Sequence, residues 1–137
     1  MKKKLIILSV LALTIFAFIL EVIPFSVIMY SGTQSGQEIL RYYGYWSMMP
    51  AGYGNFCYFF VFITTCLLLL FIPLSLFINK KAFQIVIICL FLFGITFSII
   101  PLFVAKYSTW QNYTVLVVYC LNFVIVLLDS FLIMMEK

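Results

Sequence analysis

One carboxylate, Glu21, stands well inside the first of four long apolar runs, and Thr14, Ala17, Glu21 and Pro24 recur at i, i+3, i+7 and i+10. That spacing lines a single helix face. A carboxyl group in such a setting can exchange its proton with a cation or substrate, or it can hydrogen-bond across helices and fix their register. Directed at lipid near mid-membrane it would cost about 2.5–3.5 kcal/mol, so the stripe is expected to face protein. Leu, Ile and Phe residues around it contribute about 0.3–0.6 kcal/mol each, enough for the helix as a whole to insert.

Counting inward from the outer ends of the runs, Glu21 lies nine residues below Tyr30, Asn122 nine below Tyr113, Thr96 nine below Ala105 and Thr64 eight below Phe56. At about 1.5 Å per residue the four fall within one helical turn of a common depth. They are expected to form a polar layer across the bundle, with Glu21 largely protonated and hydrogen-bonded to Asn122 or a threonine. No second acid shares that depth. Asp129 is about 9 Å from the inner end of its run while Glu21 is about 25 Å above Lys4. Asp129 is instead expected to meet snorkelling Lys80, Lys81 or Lys4 as a charge anchor at the inner surface.

Other chemistry is thinly represented. Cys57, Cys66, Cys89 and Cys120 form no CxxC pair, and the chain has no histidine, so no metal site is expected. The cysteines read as small packing residues, with a Cys57–Cys120 bridge near the outer helix ends as the alternative. No nucleophile–base pair or phosphate loop is present, so neither enzyme activity nor a cofactor is expected. Gly52-Tyr53-Gly54 lacks the preceding threonine and valine of a potassium filter, having Pro50 and Ala51 there, and Asn112-Tyr113-Thr114 matches a glycosylation acceptor but abuts an apolar run.

The elements that must position these residues follow from composition. Of 137 residues, 66% are hydrophobic and 9% charged, against about a quarter charged in soluble domains, so the chain is read as a membrane protein. A bilayer core about 30 Å thick needs roughly 20 apolar residues, and four stretches qualify: 5–29, 56–78, 83–105 and 113–135. Lys2, Lys3, Lys4, Lys80, Lys81 and Lys137 fall on one side and only Arg41 and Lys106 on the other, which places both termini in the cytoplasm. Short connections at 79–82 and 106–112 require antiparallel neighbours. The expected fold is all-α, a single integral membrane domain over 1–137 built as an up-down-up-down four-helix transmembrane bundle. The small-xxx-small pair Gly94 and Ser98 permits close helix approach, within the bundle or between copies. Pro24, Pro73 and Pro101, one in each of the first three runs, are expected to bend their helices.

Only the first outer connection is long enough to have structure of its own. Ser35 stands three residues before Glu38, the spacing of a capping box, and predicts a short interfacial helix over 36–43 ended by Gly44. Ile39, Leu40 and Tyr43 would share its apolar face. Tyr43, Tyr45, Trp46 and Tyr53 then form an outer aromatic surface, read either as an interfacial belt or as a docking surface for a partner.

The segment 50–56 (PAGYGNF), with Glu21-Val22-Ile23-Pro24, resembles a group of small four-span proteins of low-GC Gram-positive bacteria that carry no assigned activity. That resemblance implies this topology and a bacterial plasma membrane. Glu21-Val22-Ile23 is also similar to the glutamate segment of the small multidrug resistance transporters, a likeness that would make Glu21 a coupling residue. The long first loop and the lysine bias depart from that pattern. The resulting expectation is a non-enzymatic accessory or interaction component of the plasma membrane. Its partners would be the bilayer and a membrane protein or second copy, not nucleic acid. A proton-coupled transporter of small molecules or ions working through Glu21 is the alternative.

Overall fold

The computed structural model describes residues 2–23, 27–34, 37–46, 56–78, 81–104 and 109–135. Four helices carry the fold: α1 (Lys2–Val22), α2 (Phe56–Leu74), α3 (Lys81–Val104) and α4 (Trp110–Met135). Each is long and apolar enough to cross a membrane. α1 packs on α2 and α4, and α3 packs on the same two, so the helices form a square with α1 opposite α3 and α2 opposite α4. This is the up-down-up-down transmembrane bundle that the run lengths and short connections demand.

Apolar residues turned to the bundle axis form the core: Val10, Ala17 and Leu20 from α1, Val61 and Leu68 from α2, Phe91 from α3, and Val115 and Tyr119 from α4. Outward faces carry Leu, Ile, Val and Phe, as Leu70, Ile85, Phe103 and Leu128 do. In water that exposure would be a liability; in hydrocarbon it is the solvated surface. All four cysteines are free, and Cys89 and Cys120 belong to this exposed surface rather than to the packing.

The structure corrects the first connection. No helix covers 37–43. The chain forms an antiparallel hairpin of β1 (Val27–Gln34) and β2 (Gln37–Tyr43), registered Val27 opposite Tyr43 and Gln34 opposite Gln37, with an irregularity between Tyr30 and Thr33. Only two residues separate Gln34 from Gln37, the spacing of a tight hairpin. Strand alternation then decides orientation: Val27 and Tyr43 turn toward the core, while Tyr42 on the next register position is exposed. Ser35, the supposed cap, lies outside the described residues.

The first span is accordingly shorter than its apolar run. α1 ends at Val22, not at 29, because Pro24 offers no N–H to a fourth preceding carbonyl and biases Ile23 away from helical dihedrals. Pro73 and Pro101 likewise sit in the last turn of α2 and of α3, where they help end helices rather than bend their middles. Beyond α2, tight turns carry the chain through Ile78, with Ser75 N–H donating to Phe71 O at 3.0 Å. At the other ends, α3 begins at Lys81 and α4 at Trp110, each slightly before its apolar run.

Candidate functional site: the Glu21 network

Glu21 occupies the last turn of α1 and is fully buried. Its partner is Thr65, in the middle of α2, whose Oγ1 lies 2.7 Å from Glu21 Oε1. Thr65 Oγ1 is also 2.6 Å from Tyr119 Oη on α4 and 3.1 Å from Val61 O in its own helix. Tyr119 O–H can donate to Val61 O as well, at 3.3 Å. The trio therefore joins α1 to the diagonal pair α2 and α4. Gly94 on α3 completes it by absence: a Cβ there would overlap the Tyr119 ring, so glycine leaves the tyrosine room beside α3. The Gly94–Ser98 face thus serves approach within the monomer.

Protons can be assigned to this trio in two ways. Thr65 has one hydrogen and three oxygens within reach. In one arrangement Tyr119 donates to Thr65 and Thr65 donates to Glu21 Oε1. In the other a protonated Glu21 donates to Thr65, which passes its own hydrogen to Val61 O. Both satisfy every hydroxyl. Glu21 Oε2 has no partner in either.

One tier inward along the same α1 stripe, Thr14 meets Asn122: Asn122 Nδ2 donates to Thr14 Oγ1 at 3.3 Å, and Thr14 donates to Val10 O at 2.7 Å. Thr14, Ala17 and Glu21 are all buried, so the stripe faces protein. Pro24 lies outside the described residues.

The polar layer thus differs in membership from the depth count. Glu21 and Asn122 lie in adjoining tiers. Thr64 is buried but donates to Phe60 O at 2.7 Å, and it is the neighbouring Thr65 that reaches Glu21. Thr96 does not join: it is exposed and donates to Leu92 O at 2.9 Å. The reason is rotational. Equal depth leaves azimuth free, and one residue turns a helix by about 100°. Thr65, Tyr119 and the tier of Thr14 with Asn122 were accessible only to an argument that fixed helix faces as well as heights.

Above Glu21 the mouth of the bundle is filled from the hairpin side. Thr65 and Tyr119 each lie nine residues into their helices and α1 runs one residue past Glu21, so α1 stops about 12 Å short of the hairpin-side ends of α2 and α4. The returning strand occupies that gap. Tyr45 N–H donates to Glu21 O at 3.0 Å and Trp46 Nε1–H donates to Val22 O at 3.2 Å, so two carbonyls at the open end of α1 are satisfied from outside the helix. Gly44 lets the indole fold back, since a Cβ there would meet Trp46 Nε1 at 2.6 Å.

Tyr45 corrects another expectation. It is not on an outer aromatic surface but buried, its ring 4.8 Å from that of Tyr58. Its hydroxyl donates to Asn112 Oδ1 at 2.9 Å, and Asn112 Nδ2 donates to Tyr58 Oη at 2.9 Å. Burial pushes the Tyr45 phenol well above its ordinary range, and nearby Glu21 adds to this, so the group stays an O–H donor. Of the other ring positions, Trp46 is exposed, Tyr43 is half-buried against the core, and Tyr53 lies outside the described residues. Exposed Trp110 and Tyr113 stand at the same end, the placement of an interfacial belt. Tyr45→Phe is expected to cost about 1 kcal/mol, because it leaves Asn112 Oδ1 without its donor; thermal unfolding in detergent measures it.

Asp129 is at the opposite end of the bundle and half-buried, with neither Lys4 nor Lys81 in ion-pair range of it; Lys80 lies outside the described residues. The described residues contain no group of three or more potential metal ligands. No protein-family profile, curated protein or solved structure matches the chain.

Proposed function

We propose that this four-span membrane protein is a non-enzymatic accessory component of a bacterial plasma membrane, with both termini cytoplasmic and the hairpin outside, engaging another membrane protein or a second copy through that hairpin and Trp46. The carrying observation is the sealed state of Glu21. It has no exposed surface, its side chain is tied to Thr65 on α2 and through Thr65 to Tyr119 on α4, and Tyr45 with Asn112 and Tyr58 stands over it. A dry carboxyl held this way is suited to fixing helix register. The excess of lysine at one end supports the orientation, six basic residues against two.

A second reading has its own support. Glu21 Oε2 is buried without a partner, and the Thr65–Tyr119 trio accepts either proton arrangement, as a proton-coupled carrier would require. Glu21→Gln separates the two, since it keeps the shape and removes the titration. An accessory protein keeps its thermal stability and its crosslinks from hairpin positions to the partner. A carrier loses proton-linked uptake in vesicles while remaining folded, and that result would overturn the accessory reading.

A further inference from the structure

At the end of the bundle away from the hairpin, all four helices and the turn after α2 line a partly open cavity of about 40 Å³. Its wall is apolar, Ile7, Val10 and Ile87 among others, and its polar lining is Ser75, Gln84, Asp129 and Ser130. The hydrogens of both serines are already spent. Ser75 Oγ donates to Ile72 O at 2.6 Å and Ser130 Oγ donates to Val126 O at 2.9 Å. Toward the cavity the two hydroxyls therefore offer lone pairs only, the Asp129 carboxylate offers acceptors only, and the Gln84 amide can turn its oxygen inward.

A mainly aliphatic chamber whose polar lining is one acid and hydroxyls with their hydrogens already used favours a cation that carries hydrogen-bond donors and some apolar surface. At about 40 Å³ the cavity exceeds the roughly 10–15 Å³ that one water needs and has room for a small polar head. We propose that this cavity binds a primary alkylammonium head, with Asp129 as its counter-ion and Ser75, Ser130 and Gln84 accepting its N–H groups. The ammonium has two sources, a soluble amine entering from the inner aqueous side or a lysine of this chain folding in from Lys4, Lys80 or Lys81; the proposal commits to the soluble amine.

The test titrates butylammonium into the full chain in nanodiscs, followed by calorimetry, with tetramethylammonium and potassium as competitors. Saturable one-to-one binding is expected, weakened at least about tenfold, or 1.4 kcal/mol, by Asp129→Asn and several-fold by Ser75→Ala. Butylammonium should also protect Asp129, in the unaltered protein, from a hydrophobic carbodiimide, with the labelled peptide identified by mass spectrometry; this arm stands even if Asp129→Asn fails to fold. Tetramethylammonium, which has no N–H donor, should compete poorly. Equal binding by Asp129→Asn, preference for potassium over butylammonium, or the absence of both binding and protection would overturn the proposal. So would binding that appears only after Lys4, Lys80 and Lys81 are changed to Gln, since the resident ammonium would then be the chain's own.

Discussion

Gly94→Ala is expected to lower the unfolding temperature and to displace Tyr119 from Thr65. An alanine in place of glycine ordinarily favours a helix by about 1 kcal/mol, so the direction of this effect is diagnostic. Here the new methyl overlaps the ring of Tyr119, a rigid group packed edge-on to Phe91 at 6.0 Å between centroids. Overpacking of this kind costs about 1–3 kcal/mol, enough to outweigh the propensity gain. The loss should be larger for Gly94→Leu and should shrink when Tyr119 is first changed to Leu, which empties the contested space. An unfolding midpoint that rises, or a cost that is the same in both backgrounds, would show that the ring does not need the glycine.

Thr65→Val is the second large effect. Valine keeps the shape and removes the hydroxyl that links Glu21 Oε1 to Tyr119. Glu21 would then have two buried oxygens without partners instead of one, a loss of about 1–3 kcal/mol. Replacing both partners tells the two components apart. If the penalty comes from an orphaned acid, Glu21→Leu combined with Thr65→Val should recover most of it, because an apolar pair leaves nothing unsatisfied. Simple addition of the two single losses, measured by thermal unfolding in the same detergent, would mean that the residues act independently.

Much of this arrangement is legible in the residues themselves. Apolar run lengths and short connections give four helices and their order, and the spacing of Thr14, Ala17 and Glu21 gives the buried face of α1. Heights along each run bring Glu21 and Asn122 near the right tiers. Three things escape that reasoning. Azimuth decides that Thr65 rather than Thr64 reaches the acid and that Thr96 faces outward, and apolar periodicity in a membrane helix is weak because the lipid side is apolar too. Hydrophobicity also overstates α1, since Val27 and Ile28 extend the run while belonging to a strand. Finally, Ser35 and Glu38 fit a helix cap as well as Ser35-Gly36 fits a two-residue turn. The β-branched and aromatic residues Val27, Ile28, Tyr42 and Tyr43 flanking the Ser35-Gly36 pair were the local signal for the turn. Tyr45 was the hardest to place: an aromatic beside a tryptophan in an outer loop reads as interfacial, and only the early end of α1 creates the space that it fills.

That early end bears on how the protein comes together as it emerges from the ribosome. β1 and β2 are neighbours in the chain and can pair without waiting, and Glu21 meets Thr65 once the second helix has arrived. Asn112 and Tyr119 follow later in the chain, on α4. Until α4 inserts, Tyr45 lacks its acceptor and Thr65 lacks its hydrogen bond to Tyr119, so the three-helix stage carries unfinished polar groups inside an apolar medium. Insertion of α4 is therefore the step that locks the bundle mouth and the Glu21 trio together.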